Sequence, residues 1–163
     1  MCLIEQPIMN IKKAQPSDIP SILMLLEEKA KFDKQMRGFE GQITTNECKL
    51  KETLFGDLPF AHVLLADIQD NVVGFAFYHF RYSSFSGQPS IWLDDLLVLS
   101  NCRSKGIGEK LMVQLKSEAL RFNASHIAWT ASPLNKKGQL FYERIGANID
   151  RLEGDRPFFR WSI

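Results

Sequence analysis

The stretch "VLSNCRSKGIGEKL", residues 98–111, sets two glycines between an apolar run of strand character and a run with helical spacing. Upstream of it "SIWLDDLLVL" (90–99) reads as a strand. Downstream "IGEKLMVQLKSEALRF" (107–122) reads as an amphipathic helix and "HIAWTAS" (126–132) as a further strand. Strand, turn, helix and strand in that order predict a βαβ unit over residues 90–131, with a right-handed crossover between parallel strands. Its first turn brings unpaired backbone N–H groups and a helix dipole to one point, which favours an anion. Gly106 and Gly108 let that anion approach the backbone, and Arg103 and Lys105 add positive charge.

Outward from this unit the same reading covers the chain. "NIKKAQ" (10–15) predicts a short strand, and "PSDIPSILMLLEEKAKF" predicts a helix capped by Ser17 or Asp18, with Ile19, Ile22, Leu23, Leu26 and Ala30 at helical spacing. A second helix is predicted over 45–55, capped by Thr44 or Thr45 and ended by Gly56. "AHVLLADIQDNVVGFAFYHFRYS" (61–83) predicts a hairpin of strands 61–67 and 72–82 joined at Gln69, Asp70 and Asn71. Asn135 to Ile145 predicts a last helix, stopped by Gly146, and "PFFRWSI" (157–163) a closing strand. The pattern is that of one mixed α/β domain over residues 1–163, with residues 1–9 a flexible N-terminal extension.

Composition excludes several classes. The chain has 163 residues, 45% of them hydrophobic and 24% charged, and no apolar run approaches the ~20 residues that span a bilayer. A formal charge of +1, with lysine and arginine dispersed among acids, argues against nucleic acid as a partner. Cys2, Cys48 and Cys102 form neither a disulfide framework nor a metal-ligand spacing, so no metal is expected and a cytoplasmic setting fits.

Two familiar phosphate turns are absent: no G-x-x-x-x-G-K-[ST] occurs, and the dinucleotide pattern G-x-G-x-x-G fails at Leu111. Arg103-x-x-Gly106-x-Gly108 instead resembles the [RQ]-x-x-G-x-[GA] signature of the GCN5-related N-acetyltransferase (GNAT) superfamily. The strand segment "WLDDLLV" (92–98) and the segment "NKKGQLFYERIGA" (135–147) resemble that family's neighbouring motifs, the latter through Asn135, Phe141, Tyr142, Gly146 and Ala147. "PFAHVLLAD", "VVGFAFYHFRYSSFSG" and "IWLDDLLVLSNCRSKGIG" resemble most its spermidine/spermine (diamine) and thialysine N-acetyltransferase branch.

The resemblance implies a fold, a co-substrate and roles for residues. The fold is a mixed central β-sheet flanked by helices, with a splayed parallel strand pair and a βαβ unit that binds acetyl-CoA. Acetyl-CoA would lie against the backbone of Leu96, Leu97 and Val98 and against the turn Arg103, Ser104, Lys105, Gly106, Ile107, Gly108 and Glu109. Asn135 either caps its helix or hydrogen-bonds the pantetheine. Tyr142 is implied as the general acid for the leaving thiolate, or else it packs in the core as an aromatic. The branch also implies a homodimer.

The implied reaction is acetyl transfer from acetyl-CoA to a primary amine. An alkylamine of pKa about 10.4 is neutral about once in 2,500 molecules at pH 7, a penalty of about 4.6 kcal/mol, so a proton acceptor is needed. Asp94 is implied as that acceptor and as an amine contact. Asp95, its neighbour on a strand, is expected to point to the opposite face. Phe32, Asp33 and Trp92 are further candidates for amine binding, with Tyr82 and Phe85 as possible walls of the pocket. A small diamine, polyamine or thialysine-like amino acid, a protein or peptide amine, and a non-catalytic acyl-CoA module all remain open as readings at this point.

Overall fold

The structure is a computed structural model that describes residues 8–163. In chain order it contains β1 (Met9–Lys13), α1 (Ile19–Gln35), α2 (Glu47–Phe55), β2 (His62–Ile68), β3 (Asn71–Ser83) and β4 (Gln88–Val98). There follow α3 (Ile107–Arg121), β5 (His126–Thr130), α4 (Lys136–Arg144), β6 (Asn148–Glu153) and β7 (Arg156–Ser162). The seven strands form one sheet in the order β1-β2-β3-β4-β5-β7-β6. Only β4 and β5 run parallel, joined by α3 as the βαβ reading requires.

Two apolar layers hold the helices against the sheet. On one face Leu64, Ala76, Tyr78, Ile91 and Ile127 pack against Ile107, Leu111, Met112 and Leu115 of α3, with Phe141 and Tyr142 of α4 at the margin. On the other, Val63, Leu65, Phe75 and Leu97 pack against Ile19, Ile22 and Leu25 of α1 and Leu50 and Leu54 of α2. Successive strand residues feed opposite layers, which is the period-two consequence of the pleat.

Several boundaries differ from the sequence reading for local reasons. Strand β1 begins at Met9, paired with Ile68 and so inside the extension expected for 1–9; residues 1–7, Cys2 among them, lie outside the described residues. The cap of α2 is Asn46, whose side chain accepts from the Lys49 N–H at 2.9 Å; neither Thr44 nor Thr45 caps it. Strand β6 was not anticipated. All six of its residues are exposed, so it carries no alternation to read, and it is held only at the sheet edge by β7.

Candidate active site

Strands β4 and β5 pair at only two positions, Ile91 with Ile127 and Trp92 with Ala128. Beyond them β4 runs on to Val98 along β3 while β5 diverges, and the opening is floored by Trp129 and closed on the far side by α4. This is the splayed pair that the motifs implied. The α3 turn lies at its end. Gly106 caps α3 with φ +77°, a left-handed conformation that a Cβ would strain, and Ser104 is also left-handed at φ +61°. The first N–H to find an acceptor is that of Lys110, on the Gly106 carbonyl at 3.0 Å. Among the described residues, the N–H groups of Ser104 to Glu109 have no acceptor, and they form an array suited to a diphosphate.

The basic side chains of the turn do other work. Arg103 donates through Nε to the Val98 carbonyl at 2.8 Å and lies 5.2 Å from the Phe32 ring, which ties the turn to α1. Lys105 donates to the Asn101 carbonyl at 3.3 Å. Ile107 is buried, so only its backbone is available to a ligand, and the Leu97 side chain likewise belongs to the core. Gly108 packs beside Phe141, where an added Cβ would lie 3.4 Å from the ring.

The cleft, about 190 Å³, is lined by every amine-site candidate: Phe32, Asp33, Trp92, Asp94 and Asp95. That both Asp94 and Asp95 reach it corrects the expectation of opposite faces. Phe77 pairs with Asp95 and Tyr78 with Leu93, leaving Asp94 as an extra, unpaired residue in a β-bulge. The bulge shifts the parity of the strand. Ile91 and Leu93 face the α3 layer before it, and Leu96 and Val98 face that layer after it. Tyr82 and Phe85 are not brought to the cleft; both stand in solvent at the tip of the β3–β4 hairpin.

The carboxylates differ in their partners. Lys29 of α1 sits between Asp33 and Asp95, bonded to Asp33 and 3.0 Å from Asp95. Its burial lowers its pKa, but the two carboxylates outweigh this and hold it above its ordinary value, so it stays charged. Sequence reasoning missed Lys29 because a lysine four residues before an acid on a helix reads as a solvated surface pair. Asp94 has no ion-pair partner among the described residues. Partial burial is the main cause that raises its pKa, and the charge of Asp95 adds to it; His79, Trp92 and Lys29 pull the other way. A carboxylate with a raised pKa is a better proton acceptor than an ordinary one.

Tyr142 reaches the same cleft from α4, wedged among Trp129, Phe159 and Phe141 at ring distances of 4.9, 5.2 and 5.3 Å. Burial, with the charges of Asp33 and Asp95 behind it, pushes its phenol far above the ordinary range, so it holds its proton at neutral pH. The residue is therefore packed among core aromatics and lines the cleft at the same time. Asn135 caps α4 by accepting from the Gly138 N–H at 3.0 Å, and the residue also lines the cleft. Trp92 is covered on one face by Arg81, 3.8 Å from its ring centre.

A seven-stranded mixed sheet with one splayed parallel pair, and an anion-binding turn at the end of the splay, defines a fold built to hold an acyl carrier in the sheet. The pattern of the Acetyltransferase (GNAT) family matches residues 26–147, and the chain belongs to that family. It is 31% identical over 153 residues to a thialysine N-epsilon-acetyltransferase of Bos taurus, across 88% of this chain and 87% of that protein. It is also 28% identical to a spermidine/spermine N(1)-acetyltransferase-like protein 1 of Homo sapiens, covering 94% of this chain and 22% of that longer protein. In fold it is similar to a ribosomal-protein-alanine N-acetyltransferase from Brucella melitensis biovar Abortus 2308, with TM-score 0.72 and 22% identity over 90% of this chain and 96% of that one. The chain is thus an acyl-CoA-dependent N-acetyltransferase, and acetyl-CoA is the co-substrate of its family. No helix among the described residues is long and apolar enough to cross a membrane, and no group of metal-ligating side chains occurs among them.

Proposed function

We propose that this chain acetylates a primary amine of a small molecule, of the diamine, polyamine or thialysine-like class, using Asp94 and Tyr142 on opposite walls of one cleft. One observation carries the reading. The free N–H turn at 104–109 follows in the chain on β4, and the opened stretch of β4 lines the cleft that an unpaired carboxylate and a protonated phenol share.

Acetyl-CoA, when bound, supplies an activated acetyl group as a thioester. The residues that would hold it are the N–H groups of Ser104 to Glu109 for its diphosphate, with Leu96, Leu97 and the Asn135 amide along the pantetheine. The Val98 carbonyl is already engaged by Arg103. Asp94 binds the ammonium and takes one proton, directly or through a water. The amine nitrogen then forms its bond to the acetyl carbon as the carbon–sulfur bond breaks, Tyr142 donates its proton to the departing sulfur, and the second proton lost by the nitrogen returns to the Tyr142 oxygen. The balance is one amide, one free thiol and one proton, so no metal or redox partner is required. Positioned acid and base groups of this kind are worth ~10²–10⁴ in rate.

Release of free CoA, measured with putrescine, spermidine, thialysine and a lysine peptide as acceptors, tests the reading. Turnover with one of the small amines is expected, and turnover with the peptide alone would refute it. Assembly as a homodimer belongs to the same proposal, supported by the branch resemblance and by Leu58, Phe60, Tyr82 and Phe85 standing exposed. A light-scattering mass equal to one chain would overturn that part.

A further inference from the structure

Arg156, the first residue of β7, lines the amine cleft and is half-buried there. It lies against the turn that ends α1, its Nη1 3.6 Å from where a Cβ on Gly38 would stand. Among the described residues its guanidinium makes no ion pair and donates no hydrogen bond. That is unusual for a guanidinium out of bulk water, whose five donors suit a carboxylate held by two parallel bonds. The other cation of the cleft, Lys29, is already occupied by Asp33 and Asp95. Arg156 is the cation left free, and Asp94 is the anion left free.

We propose that Arg156 binds the carboxylate of the acetyl acceptor, so that the cleft selects an amino acid whose side chain ends in a primary amine. The inference rests on the acetyl-transfer reading and narrows its substrate class. In it the α-carboxylate is held by Arg156 and the reacting ammonium by Asp94, so one molecule answers both unpaired charges. A diamine or polyamine meets Asp94 equally well but offers Arg156 only repulsion. The formal charges agree: three carboxylates (Asp33, Asp94, Asp95) against two cations (Lys29, Arg156) leave the cleft one net negative charge. That complements a diamino acid of net charge +1, whereas a diamine carries +2 and spermidine +3.

The test uses pairs of acceptors that differ only in the carboxylate: lysine with cadaverine, ornithine with putrescine, and thialysine with its decarboxylated diamine. For each pair the ratio of kcat/KM, amino acid over diamine, is measured by CoA release in the wild-type protein, Arg156→Gln and Arg156→Lys. A charge-assisted bidentate contact predicts a wild-type ratio of about 10–100, carried in KM. The ratio should fall at least tenfold in Arg156→Gln and be partly restored in Arg156→Lys, with the Kd of acetyl-CoA unchanged. Equal or better use of the diamines, an unchanged ratio in Arg156→Gln, or a weakened acetyl-CoA Kd as the main defect would each overturn the inference and leave acetyl transfer standing. No CoA release from any of the six acceptors or from spermidine would overturn both.

Discussion

Replacing Tyr142 with phenylalanine separates chemistry from packing at one position. The ring lies 4.9–5.3 Å from three aromatic neighbours, all of which phenylalanine keeps. The hydroxyl makes no hydrogen bond within the protein among the described residues, so its removal strands no partner and stability should change by less than about 1 kcal/mol. On a domain of this size that is under about 4 °C in Tm. The loss should fall on the chemical step instead. If the phenol protonates the departing sulfur, kcat drops by ~10²–10⁴, which is about 2.7–5.5 kcal/mol of barrier. Calorimetric titration with acetyl-CoA, thermal melting and steady-state CoA release read the three quantities separately. A kcat within threefold of wild type would remove the phenol from catalysis. A large fall in Tm with a proportionate loss of cofactor binding would mean that Tyr142 acts as a core aromatic.

The remaining predictions test the other parts of the cleft. The rate constant kcat/KM should rise as Asp94 ionises and then hold level to about pH 9, because the ionised carboxylate takes up the ammonium and its proton. With Asp94 raised by burial, the acidic limb lies above the ordinary carboxylate range, and Asp94→Asn should abolish that limb while lowering the rate. Tyr142, raised by burial, should add no alkaline limb in that window, and a rate falling above pH 8 would contradict its assignment. Gly106→Ala, at φ +77° with open space around it, should cost about 1–2 kcal/mol in stability by backbone strain alone and weaken acetyl-CoA binding. Denaturant melts read the first effect and titration the second, and an unchanged midpoint would refute the strain argument. Lys29→Met leaves Asp33 and Asp95 facing each other without a counter-ion, at a cost of about 1–3 kcal/mol near pH 7. Denaturant melts of the wild type and Lys29→Met near pH 7 read this cost, and equal midpoints would refute the counter-ion argument.

What the sequence disclosed tracks how locally each feature is encoded. The βαβ unit was readable because α3 carries Leu111, Leu115 and Ala119 on one face, all buried as spaced, and because β4 and β5 are apolar enough to lie inside a sheet. The glycine turn was readable because its conformation needs that residue type at that point. Features that depend on pairing across the chain were not readable. The bulge at Asp94 exists only in its register with β3, and the role of Lys29 only in the approach of α1 to β4. Arg156 gave no signal, because an arginine before a proline near the end of a chain is ordinary until the cleft around it is known. Strand β6 lacks a buried face, and its pairing with β7, with Arg151 stacked 3.6 Å over Phe158, is what makes it a strand.

The extra residue in β4 also bears on which length changes the chain can tolerate. Removing one residue at position 94 would restore plain alternation, and every side chain from 95 to 98 would then exchange sides. Leu96 and Val98 would turn from the α3 layer toward α1, and Leu97 would leave the layer it shares with Ile22 and Leu25. A deletion at Asp94 would therefore be felt as a core defect on both faces of the sheet at once. Asp94 can be exchanged for another side chain without disturbing this register, but its place in the count cannot be given up. The bulge thus makes chain length at this point as strictly constrained as the packing of the interior, and relatives that keep this sheet are expected to vary the residue here far more readily than the number of residues.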